Sequence, residues 1–598
     1  MQEQGRTIGG PRSHHRHAMP LSRSRQETNG AAQRGALRLA VAVLAVAALG
    51  SALAACSSTP TSQPVGYVAS RHSPPPPTDT SYVVGPISAP GGPFMYDRFG
   101  RVVILHGVNA VEKRAPYELV PAPGKPWNFS AADARRMAGL GFDIVRLGII
   151  WQGLEPGHGS MNDPATCAPG PPGHPHEYNQ AIVDAYLARL DRTVQILADY
   201  GIFSLIDMHQ DVYSPIFEGE GAPAWAVCTD GIKPATIPGR WSNNYAQPAV
   251  QAAYQNFFTN DVVGNLQGQY DRVWSAVAGY FRNDPWVIGY DPFNEPTEGV
   301  STAIDNAPFD ELLQCFYAGK ANPGTVNSAA IAESPPTDGE IAGQAPSCPA
   351  DDPAQGVIAA IENADPNHLV FPETDIDSNG VPTYVGPMPY PRLVLNFHNY
   401  CVFRLDNGDI EPGKSSACAK LEKLTFTRRA AERAADATPE QPGGPAWFMS
   451  EFGATNSISD LTRMTAYADQ SLLGWTYWMW KYYDDPTGSV NEPLVGSNGK
   501  LLPKAKVLSQ TYAQAIAGTP TYMSFDPTTG LFELRYVAND AVKAPTVVYV
   551  ALSEHYPHGY CAAVSGGRVL SAGGAERLLV ANDPGAGEVS VRITSGTC

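Results

Sequence analysis

Apolar and polar positions along the chain switch repeatedly between two patterns from about residue 86 onward. Mostly apolar runs of strand length fall at 102–109, 144–151, 203–211, 287–294, 368–374, 393–400, 446–452 and 474–481. Between them lie stretches with the period of amphipathic helices, among them 130–140, 178–200, 249–282, 355–363 and 459–473, and 503–517 follows the last run. Eight strands each followed by a helix predict an α/β fold of the (β/α)8 barrel type over 86–517. A doubly wound open sheet is the alternative, but it calls for a glycine-rich phosphate loop after the first strand, and Leu105-His106-Gly107-Val108-Asn109 lacks that spacing. Past residue 518 the runs shorten, as at 532–536, 546–550 and 589–593, and are split by Gly, Pro and Asp, which predicts a small C-terminal β-sandwich over 518–598. No exposed aromatic cluster stands out there, so it reads as a packing buttress and not as a carbohydrate-binding module.

The chain begins differently. Seven arginines stand against two glutamates before residue 39, and a run of small apolar residues extends over 39–55, the layout of an export signal. An uncleaved membrane helix is the competing reading of that run. Leu53-Ala54-Ala55-Cys56 favours cleavage, because small residues before a single cysteine resemble the lipobox of bacterial lipoproteins, which implies lipidation at Cys56. The Pro/Ser-rich segment 56–85 carries too little apolar surface to order itself and reads as a tether. Removal of residues 1–55 takes the net charge from −17 to about −22. Such a body is unsuited to nucleic acid or anionic lipid, so acyl chains and not a basic patch are expected to hold it at the outer face of the cell membrane, unless the chain is secreted.

Apart from Cys56, eight cysteines remain: Cys167, Cys228, Cys315, Cys348, Cys401, Cys418, Cys561 and Cys598. An even number in an exported chain predicts disulfides, and none of the eight falls in a zinc-ligand spacing. Proximity along the chain favours Cys315 with Cys348, Cys401 with Cys418 and Cys561 with Cys598, leaving Cys167 for Cys228.

Active sites of (β/α)8 barrels form at the C-terminal mouths of the strands, so the polar residues there carry the chemistry. They are Asn109 and Lys113 after strand 1, Arg146 in strand 2, Asp207, His209 and Asp211 at strand 3, and Asn294 and Glu295 at strand 4. Strand 6 supplies His398 and Tyr400, strand 7 Glu451, and strand 8 Trp478, Trp480 and Lys481. Taken singly, Arg146 reads as a buried ion-pair partner, His398 as a core histidine and the tryptophans as core. Their coincidence at one face points instead to a site with two carboxylates, which is the minimal equipment for cleaving a glycosidic bond.

This pattern resembles glycoside hydrolase family 5, with Arg on strand 2, His on strand 3, Asn294-Glu295-Pro296 on strand 4, His398-x-Tyr400 on strand 6, Glu on strand 7 and Trp on strand 8. Within that family, the segment from Asp207 to Ser214, Lys113 and Asp484-Asp485-Pro486-Thr487-Gly488 resemble the endoglycoceramidases, which release an intact glycan from ceramide. Enzymes acting on galactosyl lipids or glucosylceramide share these segments. The resemblance implies Glu295 as acid/base and Glu451 as nucleophile in a retaining mechanism. It implies no cofactor and no metal, although His209 and Asp211 mimic a metal pair. Substrate-binding roles fall to Lys113, Arg146, Asp207, His209, Asp211, Asn294, His398 and Tyr400, with either Trp478 or Trp480 as the floor under the sugar ring. The segment after strand 3, with Tyr213, Ile216, Phe217 and Trp225, is either the wall of an apolar groove or an ordinary packed loop. The expected partners are a glycolipid or oligosaccharide and a membrane reached through the lipid anchor, with the chain itself a monomer. A β-glucanase or β-glucosidase is the enzymatic alternative, and a glycan-binding lipoprotein with a relic barrel is the non-enzymatic one. Retention of both glutamates with Arg146, Asn294 and Tyr400 argues against the relic.

Overall fold

The computed structural model divides into two compact units, Met1–Val68 and Ala69–Cys598. The described residues are 73–119, 128–157, 177–260, 265–297, 307–319, 356–376, 385–405, 408–489, 491–596 and 598, all in the second unit. The expected export signal, Cys56, Cys167 and Cys348 lie outside them.

Eight parallel strands make the central sheet: β1 (His106–Ala110), β2 (Ile144–Ile149), β3 (Phe203–Met208), β4 (Val287–Asp291), β5 (Leu369–Val370), β6 (Val394–Asn399), β7 (Ala446–Phe452) and β8 (Trp475–Tyr477). Their spatial order is β5-β4-β3-β2-β1-β8-β7-β6, and parallel bridges Val370–Leu393 and Glu373–Asn396 join the two ends into a barrel. Covered on both faces, these strands are buried almost throughout, which is why they read as continuous apolar runs. Gly107 is required in β1 by close packing, since a Cβ there would lie 1.8 Å from the Ile144 carbonyl oxygen.

Two expectations about element type change. The run 102–109 is two elements: Val102–Val103 pairs with Met95–Tyr96 and Tyr512–Ile516 in a six-stranded sheet, and only His106–Ala110 enters the barrel. The helix expected over 503–517 is one short turn, Ala505–Leu508, and Tyr512–Ile516 is a strand of that same six-stranded sheet. A four-stranded antiparallel sheet built on Gly518–Asp526, Leu531–Ala538, Glu588–Ser595 and Tyr560–Ser565 completes the C-terminal β domain.

The sandwich closes the end of the barrel opposite the strand mouths. Val103, Ala515 and Val547 share one buried cluster with residues at the start of the barrel strands, including Ile144, Phe203 and Ala446. Polar contacts fix the fit: Gln514 Nε2 donates to Asp143 Oδ2 at 3.1 Å and the Tyr512 hydroxyl to the Gly141 carbonyl at 2.7 Å. This supports the buttress reading. Residues 73–85, placed with the tether by composition, are packed at their end: Val83 and Val84 are buried, and the buried Arg101 guanidinium donates to the Thr80 and Tyr82 carbonyls.

Disulfides join Cys401 to Cys418 and Cys561 to Cys598. Cys228 and Cys315 are also disulfide-bonded. Among the described residues no helix is long and apolar enough to cross a membrane.

Candidate functional site

Glu295, just after β4, and Glu451, in β7, meet at the C-terminal mouth of the barrel. One carboxylate oxygen of each lies within 4.8 Å of the other and of a His398 ring nitrogen. His398 Nδ1 is 2.8 Å from Glu295 Oε1 and 3.5 Å from Glu451 Oε2. The Tyr400 hydroxyl donates to Glu451 Oε2 at 2.8 Å, and Arg146 Nη1 to Glu451 Oε1 at 2.6 Å. Glu295 has φ 46°, a left-handed conformation that costs a non-glycine residue on the order of 1 kcal/mol or more. Two contacts hold it there: its N–H donates to Glu373 Oε2 at 2.8 Å, and its carbonyl accepts from Gln210 Nε2 at 3.1 Å.

Beneath the glutamates Arg146 acts as a hub. Its guanidinium reaches Asp291, Asp207 and Glu373 at 2.9, 2.9 and 2.7 Å, the Asn294 amide oxygen at 2.8 Å and the Asn109 amide oxygen at 3.3 Å. Arg146 and Asp207 are fully buried, so neither contacts a sugar as expected; they form the layer that aims the residues above them. Asp207 also accepts from His209 Nδ1 at 2.8 Å. His398 likewise stands between carboxylates and not on the cleft wall, with its Nε2 3.0 Å from Glu373 Oε1. Asn294 does line the cleft, and its amide is oriented by Arg146 and by donation to the Gln210 carbonyl.

Protonation follows from burial and charge. Burial pushes Glu295 up to about 7, against the opposing pull of His398 and with a smaller push from Glu451. Glu451 is also raised by burial, opposed by His398, Arg146 and the Tyr400 hydroxyl. Burial disfavours the His398 imidazolium, but Glu373, Glu451 and the hydrogen bond to Glu295 outweigh it, and its pKa rises well above the usual histidine range. Burial alone would raise Glu373 too, yet His398 and Arg146 carry it down to about 2. Arg146 and His398 are thus the cations of a layer that also holds Asp207, Asp291, Glu373 and Glu451, and burial raises Asp291 well above the usual carboxylate range and Asp207 to about 7.

Above the pair lies a cleft of about 480 Å³. On one wall Lys113 sits among Asp211, Glu220 and Asp485, with Nζ 3.3 and 3.2 Å from the last two, 2.8 Å from Thr487 Oγ1 and 4.6 Å from the Trp478 ring centre. His209, Asp211 and Glu220 are grouped as metal ligands would be, but the Lys113 ammonium already supplies the cation that these acids surround. Trp478 faces the cleft, stacked on His209 with ring centres 5.2 Å apart. Trp480 does not: it is wholly buried in the main core, its Nε1 donating to Asp133 Oδ1 at 3.1 Å. Residues two apart on a strand share a face, but β8 ends at Tyr477, so the alternation of an extended strand does not apply to Trp478 and Trp480. Accordingly, Trp478→Ala is expected to cut kcat/KM at least about tenfold with little change in unfolding midpoint. Trp480→Ala is expected instead to cost about 3–5 kcal/mol in denaturant unfolding.

The segment after β3 is a packed loop: Tyr213, Phe217 and Trp225 are buried in the main core, Trp225 donating to the Glu155 carbonyl at 2.8 Å. Its later part, Trp241–Ala246, lines the cleft instead, with Ile376, Arg404 and Leu405. Glu373, Asp291, Glu220 and Glu492 belong to the site without a role expected from sequence, and Asp485, quoted only within the 484–488 motif, is part of the Lys113 cluster. Glu373 carried a readable signal, a carboxylate closing the apolar run 368–372, the same pattern that marks Glu451.

Comparison with known proteins agrees with this geometry. Residues 124–484 match the cellulase (glycosyl hydrolase family 5) model, and residues 510–594 match the glycoside hydrolase family 5 C-terminal domain. The chain is 28% identical over 521 residues to endoglycoceramidase I of Rhodococcus hoagii, covering 84% of this chain and 87% of that one. It is 27% identical to the endoglycoceramidase of Hydra vulgaris, covering 78% and 80% respectively. Among solved structures, the lactosyl-enzyme intermediate of endo-glycoceramidase II from Rhodococcus sp. superposes with a TM-score of 0.60 at 24% identity, over 84% of this chain and 100% of that one. With its paired glutamates at the mouth of an eight-stranded barrel and both family models matched in order, the chain belongs to glycosyl hydrolase family 5 and is a glycosidase.

Proposed function

We propose that the chain is a retaining glycosidase of the endoglycoceramidase type, cleaving the β-glycosidic bond between a glycan and ceramide. The observation that carries this reading is the close Glu295–Glu451 pair, whose two members have different partners. Glu451 is oriented by Arg146 and Tyr400 and is the nucleophile; Glu295, pushed up to about 7, starts protonated and donates to the departing oxygen. A carboxyl separation near 5 Å suits direct attack, whereas inverting enzymes need roughly 6.5–9.5 Å to admit water. Once the glycosyl-enzyme forms, the charge of Glu451 is gone and Glu295 loses its proton more readily, so it activates the water that completes turnover. Asn294 faces the sugar 2-hydroxyl, and Lys113, His209 and Asp211 bind hydroxyls beside the Trp478 floor. The ceramide assignment is supported by the endoglycoceramidase relatives, which align over most of the chain.

The test is incubation with a glycosphingolipid panel beside cellulosic and laminarin oligosaccharides, with the released sugar followed by NMR. Release of intact glycan with the β configuration is expected; cleavage of the glucans alone makes the chain a β-glucanase of the same family, and inverted product removes the retaining mechanism.

Lipidation at Cys56 is part of the same proposal, because a bilayer substrate is met most often by an enzyme held on that bilayer. Cys56→Ala is then expected to move the protein from the membrane to the soluble fraction while activity on detergent-dispersed glycolipid stays nearly unchanged. A variant that remains membrane-bound refutes the anchor.

A further inference from the structure

Lys504, at the start of the short Ala505–Leu508 helix, takes no part in the chemistry above, yet it is 1% exposed. Among the described residues no carboxylate lies within ion-pair distance of its ammonium. Four oxygens surround it instead: the carbonyls of Asn491, Thr455 and Glu492 at 2.6, 3.0 and 3.0 Å, and the Tyr477 hydroxyl at 2.9 Å. Burial lowers its pKa to about 7 against the opposing pull of the Glu492 carboxylate, so keeping an amine there is costly, and a chain that does so gains something else from the position.

The gain is visible in what those oxygens belong to. Thr455 follows β7, Tyr477 ends β8, and Asn491 and Glu492 belong to the loop after β8. Three segments converge on one ammonium. The Tyr477 hydroxyl also donates to the Glu492 carbonyl at 2.5 Å, so the backbone of Glu492 is gripped twice from behind. Its side chain then projects into the cleft, where Oε2 accepts from Trp478 Nε1 at 3.1 Å and Oε1 lies 3.6 Å from Arg404 Nη1. An indole has a single N–H, and this contact fixes how the Trp478 ring is tilted over the cleft.

We propose that Lys504 is a positioning residue that acts through Glu492 to orient Trp478, the floor of the sugar site. The Lys504 amine meets this demand with N–H donors for the carbonyls of the three-segment junction, and an apolar side chain withdraws those donors from all three. The loop after β8 then drifts and the Glu492 carboxylate no longer meets the indole. The effect is on geometry of the bound sugar in the transition state and so falls on kcat more than on KM.

The inference rests on the glycosidase reading for its kinetic arm, and a spectroscopic arm stands without it. Full-length chain is compared with Lys504→Met, Glu492→Gln, Trp478→Phe and the two double variants that combine the first two with the third, using 2,4-dinitrophenyl β-lactoside and β-cellobioside as probes. Lys504→Met and Glu492→Gln are each expected to lower kcat about tenfold with KM changed less than about threefold, and neither is expected to lower it further once Trp478 is Phe, since residues acting in one network are not additive. Independently of any turnover, Lys504→Met and Glu492→Gln should alter the tryptophan near-UV circular dichroism of the parent and leave that of the Trp478→Phe background unchanged. Additive kinetic losses, or dichroism changes that persist without Trp478, overturn the proposal. Should Lys504→Met fail to fold, Lys504→Gln, which keeps two N–H donors and loses the third, decides it by the same two readouts. A chain inactive on both glycosides defeats the glycosidase reading and leaves the dichroism to judge this one.

Discussion

Glu451→Gln is expected to abolish turnover of every substrate, by roughly 10⁴-fold or more, because no covalent intermediate forms without the attacking carboxylate. Glu295→Gln should behave differently. On natural glycolipid, whose leaving alkoxide needs a proton, the loss is expected at roughly 10²–10⁴-fold. On a dinitrophenyl glycoside, whose leaving group needs none, glycosylation should persist and the intermediate should accumulate, since water then lacks its base. Added azide, a nucleophile that requires no base, should rescue Glu295→Gln and give a β-glycosyl azide. The pH profile supplies an independent check. Glu295 must be protonated to start the reaction, and burial pushes it up to about 7, so kcat/KM on natural substrate should fall as pH rises through that region. Protonation of Glu451 sets the acid limb, and both limbs belong to the coupled pair and not to either residue alone. With the dinitrophenyl substrate, whose glycosylation needs no acid, the alkaline limb of kcat/KM should flatten. Equal losses in both variants, no azide rescue and an unchanged alkaline limb would together sink the assignment.

How much of this was legible beforehand differs from residue to residue, for physical reasons. Glu295, Glu451, His398 and Tyr400 were readable because each closes or follows an apolar run, and parallel strands deliver their C-terminal ends to one face. The depth of Arg146 and Asp207 was not readable. Residue type suggests a sugar contact as easily as a buried ion pair, and only the carboxylates converging from β3, β4 and β7 and from Glu373 decide between them. Glu373 is the weaker signal of the same kind, since the apolar run it closes is short and ends in Pro372. Sequence leaves the choice between Trp478 and Trp480 open because both follow the end of β8, where strand alternation no longer assigns faces. At the other end of the barrel, 512–516 reads Tyr-Ala-Gln-Ala-Ile, which has residues of good helix propensity and no polar alternation. It is a strand because Val102–Val103 and Thr546–Tyr549 flank it as partners, a tertiary condition that local pattern does not carry. The loop after β3 shows the same limit: its aromatic residues are as apolar in a groove as in a core, and packing against Trp151 places Trp225 in the latter.

Arg146→Met should cost more stability than any other single change to the site, on the order of 3–5 kcal/mol, because it leaves buried carboxylates without the cation they surround. The guanidinium donates to four of them and to two amides from a single fully buried position, and Met replaces its volume but none of its donors. Lysine is not a rescue, since one ammonium with three donors cannot span ligands that the planar fork reaches from both edges. The loss should depend on pH in a definite sense. In the variant His398 alone of the two cations opposes burial, so the folded-state pKa values of both glutamates rise, and that of Glu451, already raised in the parent, moves further above the roughly 4.3 of an unfolded glutamate. A carboxyl whose folded value lies above its unfolded value favours folding only while both states hold the proton, and that advantage is lost as pH climbs through the interval between the two. Urea unfolding of the parent and Arg146→Met, compared at pH 5 and pH 8, should therefore show the larger gap at pH 8. A gap that is the same at both pH values, or larger at pH 5, would mean that the carboxylates of the site are not held by Arg146 as charges, and the proposed division of labour between Glu295 and Glu451 would lose its electrostatic basis.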